Sequence, residues 1–326
     1  MKRALITTVF LFALLPSLLA TSSADFIASD PWIYRDDAAG VYRLYLLTSE
    51  RHPEGAGVEM RISGNLTDWS EPKRVLDVPD IRACDAPWAP EMHAYNGKYY
   101  MFVTISTKRG AFPELECLEP GDWKKLPRPP RGTWVYRADS PEGPFTEWSE
   151  GPVPPAEWST LDGTLFVEDG RPYMVFCHEW TQVRDGKMCA VEMSADLKAA
   201  VGRPFDLFRA SVRPGAPEGP LERHVTDGPF LFRSKNGSLL MTWSSYSPSG
   251  YCVIVTRSES GKLAGPWTRH ERIFSADGGH GMIFRAFDGR LMMALHTPNS
   301  PGSAKRLKVV GIEDLGDTLR IAAHVD

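Results

Sequence analysis

The sequence predicts an all-β fold, a five-bladed β-propeller, and three observations carry that prediction. Short aromatic and β-branched runs broken by Asp-Gly or Asn-Gly turns fill the chain, with almost no helical period. The hairpin glycines Gly40, Gly97, Gly170, Gly237 and Gly289 recur at intervals of roughly 50 to 75 residues, the scale of a repeat. Each hairpin is followed by two further strand-like runs, which makes the repeating unit four strands, as in a propeller blade. A β-sandwich with chance likeness among its hairpins is the rival. The repeated turn signal and the recurring Gly-Pro-aromatic or Asp-Trp-Ser outer strand favour the propeller. A blade buries its faces only against its neighbours, so residues 25–326 are expected to form one domain.

The copies follow in order. The first runs from Asp30-Pro31-Trp32 through the Asp36–Gly40 turn to Val41–Leu47, then Val58–Ser63 and Trp69–Pro72. The second begins at Ala86-Pro87-Trp88, turns at Asn96-Gly97, and ends on Thr133–Arg137 and Gly143–Thr146. Within it lies a stretch rich in Pro and charge, roughly Lys108 to Arg131, long enough to be functional or mobile. The third is the clearest: Leu161-Asp162-Gly163-Thr164, the Asp169-Gly170 turn, Arg171–Phe176, Met188–Ser194 and a strand near Phe205–Phe208. The fourth starts at Asp227-Gly228-Pro229, and the fifth at Gly279-His280-Gly281.

The N-terminus reads as a secretory signal over residues 1–24. Lys2-Arg3 precede an apolar run from Ala4 to Ala20, and Ser22, Ser23 and Ala24 offer a cleavage site. A retained anchor or a buried helix are the alternatives, but the run is short for a span and contains Pro16. Export to the periplasm or outside the cell is therefore expected, with no membrane span after signal removal. The net charge of −4 on 326 residues argues against a nucleic-acid partner. The five cysteines lack metal-binding spacing. Cys177 and Cys189 fall on consecutive strands and could face one another, with buried free thiols as the alternative.

In a propeller the innermost strand of every blade starts at one rim of the central channel. Asp30, Asp162 and Asp227 are expected to hold equivalent positions there, on blades one, three and four, and to converge on one pocket. A lone Asp is usually a turn or cap residue, as Asp36, Asp37, Asp169 and Asp288 look to be. The three inner aspartates differ because they recur before a strand, each followed by Pro or Gly. Crowded acids move one another's pKa, and a separated acid and base pair is what glycosidic cleavage requires.

The segments Ser29-Asp30-Pro31-Trp32, Trp88-Ala89-Pro90-Glu91, Leu161–Phe166, Thr226–Phe230 and Gly279-His280-Gly281, in this order, resemble glycoside hydrolase family 43. That family comprises five-bladed propeller enzymes acting on arabinosides, xylosides and related sugars. The resemblance implies an inverting, exo-acting hydrolase of arabinofuranosyl, xylosyl or galactofuranosyl residues in an oligo- or polysaccharide. It implies Asp30 as the general base and Asp162 as the residue that orients the acid and tunes its pKa. The family's general acid is a Glu preceding Gly-Pro on blade four, whereas Asp227 stands there in this chain, one methylene shorter. Asp227 with a shifted backbone, Glu179, or the Glu218 that also precedes Gly-Pro are the candidate acids. A propeller that binds glycans without cleaving them is the alternative.

By the same resemblance Glu91 lines or supports the pocket. His280 lies where the family often places a histidine near a channel cation, commonly calcium. Calcium prefers oxygen, so His280 would hold it through a coordinated water, and a hydrogen-bonded core histidine is the other reading. The chemistry requires no cofactor. Trp32, Trp88, Trp180 and Trp243 sit near inner-strand ends and could stack on sugar rings or pack between blades, with Trp88 the expected pocket wall. A monomer is expected.

Overall fold

Five four-stranded antiparallel sheets follow one another along the chain, each made of consecutive strands. The structure is a computed structural model, and it describes residues 21–49, 51–78, 87–107, 115, 118, 130–216 and 224–322. Blade 1 comprises Trp32–Asp36, Val41–Thr48, Gly57–Ser63 and Lys73–Asp77. Blade 2 comprises Pro87–Tyr95, Lys98–Ser106, Arg131–Ala138 and the short Thr146–Glu147. Thr160–Glu168, Arg171–His178, Lys187–Met193 and Ala200–Arg209 make blade 3. Blade 4 is Asp227–Arg233, Leu239–Ser247, Gly250–Ser258 and Trp267–Phe274. Blade 5 is Gly279–Arg285, Leu291–Thr297, Arg306–Asp314 and Leu319–Ile321. The first strands of the blades contact one another in a closed ring, 1 to 2 to 3 to 4 to 5 and back to 1. The molecule is thus a five-bladed β-propeller.

The five hairpin glycines all take positive φ, from 68° at Gly40 to 86° at Gly289. In blades 2 and 3 the preceding Asn96 and Asp169 do so as well, the pattern of a tight hairpin turn that matches strand twist. Among the described residues the ring closes without exchange of a strand between its ends. Instead the Ala28 N–H donates to the Lys305 carbonyl at 3.0 Å, the Phe287 N–H to the Tyr42 hydroxyl at 2.7 Å, and Arg35 to the Arg285 carbonyl at 3.0 Å. One continuous apolar cluster, including Trp32, Tyr45, Met92 and Phe284, spans blades 1, 2 and 5 across that seam.

Two expectations are corrected. The outer strand of blade 1 is Lys73–Asp77, not Trp69–Pro72. Pro72 has no N–H to give a ladder, and the fully buried Trp69 instead pairs, with Asp68, against Thr21–Ser22. Cys177 and Cys189 do not face each other. The register opposes Cys177 to Met188 and Phe176 to Cys189, and a one-residue offset puts the thiols on opposite faces of the sheet, in different apolar clusters. Both are free and buried, as is Cys252. Cys84, Cys117, Glu218, most of the Lys108–Arg131 stretch and the signal run before Thr21 lie outside the described residues. Among the described residues no helix is long and apolar enough to cross a membrane.

Candidate active site

The innermost strands of blades 2 to 5 share an irregularity at their starts. The ladder to the second strand skips between Trp88 and Glu91, Leu161 and Thr164, Asp227 and Phe230, and Gly279 and Met282. At each skip one residue adopts positive φ: Ala89, Asp162, Gly228 and His280, joined on blade 1 by Asp30. Such a bulge bends the strand and re-aims its side chains. It also strips amides of ladder partners, and hydroxyls on the preceding blade take them up. Thr104 accepts from the Asp162 N–H at 2.8 Å, Thr133 from the Gly163 N–H at 3.0 Å, and Ser244 from the His280 N–H at 2.8 Å.

The equivalent positions around the ring are therefore Asp30, Ala89, Asp162, Gly228 and His280. The expectation that Asp227 is equivalent to Asp30 and Asp162 is corrected by one residue. Because direction alternates along a strand, that offset sends Asp227 elsewhere: toward its own blade, where it accepts a hydrogen bond from the Tyr251 hydroxyl at 2.9 Å. Asp30 and Asp162 instead flank one imidazole, with His280 Nδ1 at 3.3 Å from Asp30 Oδ1 and 3.9 Å from Asp162 Oδ2.

Gly228 makes this arrangement possible. A Cβ there would lie 2.9 Å from both Cγ and Nδ1 of His280, and the Gly228 N–H donates to Asp162 Oδ2 at 2.9 Å. Asp30, Ala89, Asp162 and His280 tolerate the same backbone conformation, so contact with His280, not φ alone, requires the glycine. Gly228→Ala is expected to lower stability by about 1–3 kcal/mol and to reduce activity by displacing His280, as thermal melting and kcat would show.

Asp30, Asp162, Asp227, His280 and Trp88 line a single cavity of about 430 Å³ that takes residues from all five blades. Burial opposes ionisation of Asp30, but His280, His296 and Lys305 outweigh it and hold its carboxyl well below the usual range. His296 Nδ1 lies 3.2 Å from both Asp30 Oδ1 and the Asp30 backbone nitrogen, while the Ser29 hydroxyl donates to Asp30 Oδ2 at 3.1 Å. Asp227 is displaced the other way. Burial, then the neighbouring Asp162, push it up to about 7, against the Tyr251 hydrogen bond and His280. Burial and the Asp30 charge raise Asp162 to about 8 despite the Gly228 N–H.

The remaining expected site residues lie off the cavity. Trp32 is core: its indole N–H donates to the Met92 carbonyl at 2.8 Å and its ring meets His93 edge-on. Trp243 is fully buried against Phe208. Trp180 is half-buried on the one-turn helix Trp180–Val183. Glu91 is buried beside His93 Nε2 at 3.1 Å, and burial pushes its carboxyl well above the usual range, so it supports the channel wall. Glu179 is held by Arg131 Nη1 at 2.9 Å and the Ser159 hydroxyl at 2.8 Å and does not line the cavity. The same Arg131 lies over the Trp88 ring, 4.0 Å from its centroid, occupying one face of the indole. The residues present do not fit directly held calcium. Calcium takes six to eight oxygens, whereas the channel carboxylates Asp30 and Asp162 already face His280. Among the described residues only His52, Glu54 and Glu59 cluster as metal ligands would, and there His52 faces Glu59 and Glu54 faces Arg74.

Tyr251, Tyr246, His296, Asn299 and Lys305 also line the cavity and were not read from the sequence. A signal existed for His296. In an antiparallel blade the end of the second strand meets the start of the first, and His296 pairs with Gly279.

Comparisons with known proteins bear out the fold and the family. A solved endo-arabinase from Bacteroides thetaiotaomicron superposes with a TM-score of 0.76 at 30% identity, over 91% of this chain and 98% of that one. An alpha-L-arabinofuranosidase 43 from Humicola insolens is 26% identical over 199 residues, 57% of this chain and 35% of that protein. An extracellular exo-alpha-(1->5)-L-arabinofuranosidase from Streptomyces chartreusis is 26% identical over 219 residues, 62% of this chain and 60% of that protein. The chain thus spans about a third of one of these curated relatives and three fifths of the other. The model of the glycosyl hydrolases family 43 matches residues 25–320, nearly the whole propeller, and this chain belongs to that family.

Proposed function

We propose that this protein is an inverting glycoside hydrolase that removes arabinofuranosyl or related xylosyl or galactofuranosyl residues from the ends of an oligo- or polysaccharide. The carrying observation is a pair of carboxylates in one cavity whose pKa values are displaced in opposite directions, Asp30 down and Asp227 up. Such a split supports Asp30 as the base and Asp227 as the acid, with Asp162, raised to about 8, beside them. Asp30 takes a proton from water as its oxygen bonds to the anomeric carbon. The glycosidic bond breaks with its electron pair on the departing oxygen, which receives the proton that Asp227 supplies. Asp162 raises the acid's pKa, and His280 anchors both Asp30 and Asp162. Trp88 offers a sugar the ring face that Arg131 leaves open.

End-on action is supported by the exo-acting relative, and arabinose by the two arabinofuranosidases among the relatives. Export is supported by the basic and apolar N-terminus and by the extracellular relative. The test is turnover of aryl α-L-arabinofuranosides and of arabinan, with the product anomer read by NMR. Monosaccharide released with inverted configuration supports the proposal, and retained configuration or longer products contradict it. The second reading, a glycan-binding propeller, rests on the shortened blade-four acid. It predicts saturable calorimetric binding of arabino-oligosaccharides with no turnover.

The pKa directions also predict a pH profile. The acid must carry its proton, so kcat/KM is expected to fall as pH rises through about 7, where Asp227 ionises. The base must be ionised, so the acid limb is expected only below the ordinary carboxylate range.

A further inference from the structure

Asp227 is not open on all sides to the cavity it lines. Its Oδ2 is met at 2.9 Å by the Tyr251 hydroxyl, and Tyr251 lines the same cavity. The tyrosine is unusually well fixed for a residue on the third strand of its blade. Its ring lies nearly parallel to that of His296, with 5.7 Å between centroids and 12° between planes, and it packs at 52° on Tyr246. Its backbone N–H donates to Asp277 Oδ1 at 3.2 Å. The inner strand of blade 5 presses on its edge at Gly279, where a Cβ would lie 2.3 Å from Tyr251 Cε1. A glycine is needed at 279 for the ring to occupy this place.

We propose that Tyr251 is a catalytic proton relay: its hydroxyl gives its proton to the departing glycosidic oxygen while taking one from Asp227. The inference rests on the reading of Asp227 as the proton source. A phenolic hydroxyl both donates and accepts, so the bond between the two groups reverses when Asp227 is protonated. The carboxyl then donates to Oη, and Oη–H is free to donate into the cavity. In the reaction the Asp227 O–H bond breaks as a new Oη–H bond forms, and the former Oη–H proton bonds to the leaving oxygen. Asp227 ends as carboxylate, Asp30 as carboxylic acid, and Tyr251 is unchanged. The relay moves the point of proton delivery outward from Asp227 by one hydrogen-bond length, which compensates for a side chain about 1.5 Å shorter than glutamate. Burial and the surrounding carboxylates keep the phenol protonated, so it passes protons without accumulating as phenolate. The departing group is thereby assigned to the wall of the cavity formed by Tyr251, Tyr246 and Asn299.

The test is kcat across aryl α-L-arabinofuranosides of graded leaving-group acidity for the wild type, Y251F, D227N and D227E/Y251F. Phenylalanine keeps the ring and its stacking, and unchanged melting of Y251F would show that the site is intact. Y251F is expected to lose about 10²-fold or more on poorly activated substrates and less than about tenfold on the dinitrophenyl substrate, which needs no proton. D227E/Y251F is expected to regain about tenfold or more over Y251F on poor leaving groups, because a glutamate reaches the oxygen directly. A loss in Y251F that is uniform across the series overturns the relay, as does wild-type kcat with only an upward shift of the alkaline limb. D227N separates the two readings. Its failure on poor leaving groups beside a fully active Y251F removes the relay and leaves Asp227 as the acid, whereas wild-type activity in D227N removes both.

Discussion

Asp30→Asn is expected to reduce kcat on aryl glycosides by about 10²–10⁴-fold, on activated and unactivated leaving groups alike. The amide is nearly isosteric and keeps the hydrogen bonds from Ser29 and to His296, but it cannot take a proton from water. A general base acts on every substrate, so the loss should not depend on the leaving group, unlike a loss at the acid. The same substitution is expected to lower stability. The Asp30 carboxylate faces His280 at 3.3 Å and His296 at 3.2 Å, and its folded-state pKa is lowered. A lowered carboxylate pKa contributes stability above its unfolded value of about 4, and that contribution is lost as pH falls toward the folded value. Melting temperatures of wild type and Asp30→Asn should therefore differ at pH 7 and approach each other in acid. Undiminished turnover in the variant would remove Asp30 from its role.

Asp162→Asn is expected to show the opposite sign in stability together with loss of activity. Burial and the Asp30 charge raise Asp162 to about 8, so the folded protein binds its proton more tightly than the unfolded chain does. Stability from such a group is fully present below the unfolded pKa and lost as pH rises through the folded one. An amide carries no charge to bury, so the variant should melt above wild type at pH 8–9, with the gain shrinking toward pH 4. Each pKa unit corresponds to about 1.4 kcal/mol, so the effect should be readily measured. Activity should fall because Asp162 helps to hold the Asp227 pKa up, and the alkaline limb of the profile should move to lower pH. Raised melting with a wild-type pH profile would uncouple Asp162 from the acid. A site whose neutralisation stabilises the fold is the expected signature of carboxylates crowded for chemistry.

Glu179 and Asp227 show how far the site was legible. Both are carboxylates near strand ends, and the residue pattern alone ranked them only loosely. Their fates differ because Arg131, from the third strand of blade 2, reaches Glu179 at 2.9 Å and also covers Trp88. No local pattern connects residue 131 with 179 and 88. The pairing follows from two blades standing side by side. Trp32 and Trp180 likewise shared a plausible position with Trp88, and packing put only Trp88 on the cavity.

The amino-acid sequence by itself determined the blade count, the hairpins and the order of the carboxylates around the channel. Those rest on local physics: turn glycines at positive φ and strands of aromatic and β-branched residues repeated at one scale. Only the tertiary structure decided what each carboxylate faces. The bulge at the start of the inner strand puts Gly228, not Asp227, level with Asp30 and Asp162, and a one-residue step on a strand reverses the direction of a side chain. The partners that then set the proton affinities, His280 and His296 for Asp30 and Tyr251 for Asp227, come from strands far apart in sequence. They meet because the ring closes and brings five strand starts to one axis, where burial and proximity move pKa values that no isolated motif would move.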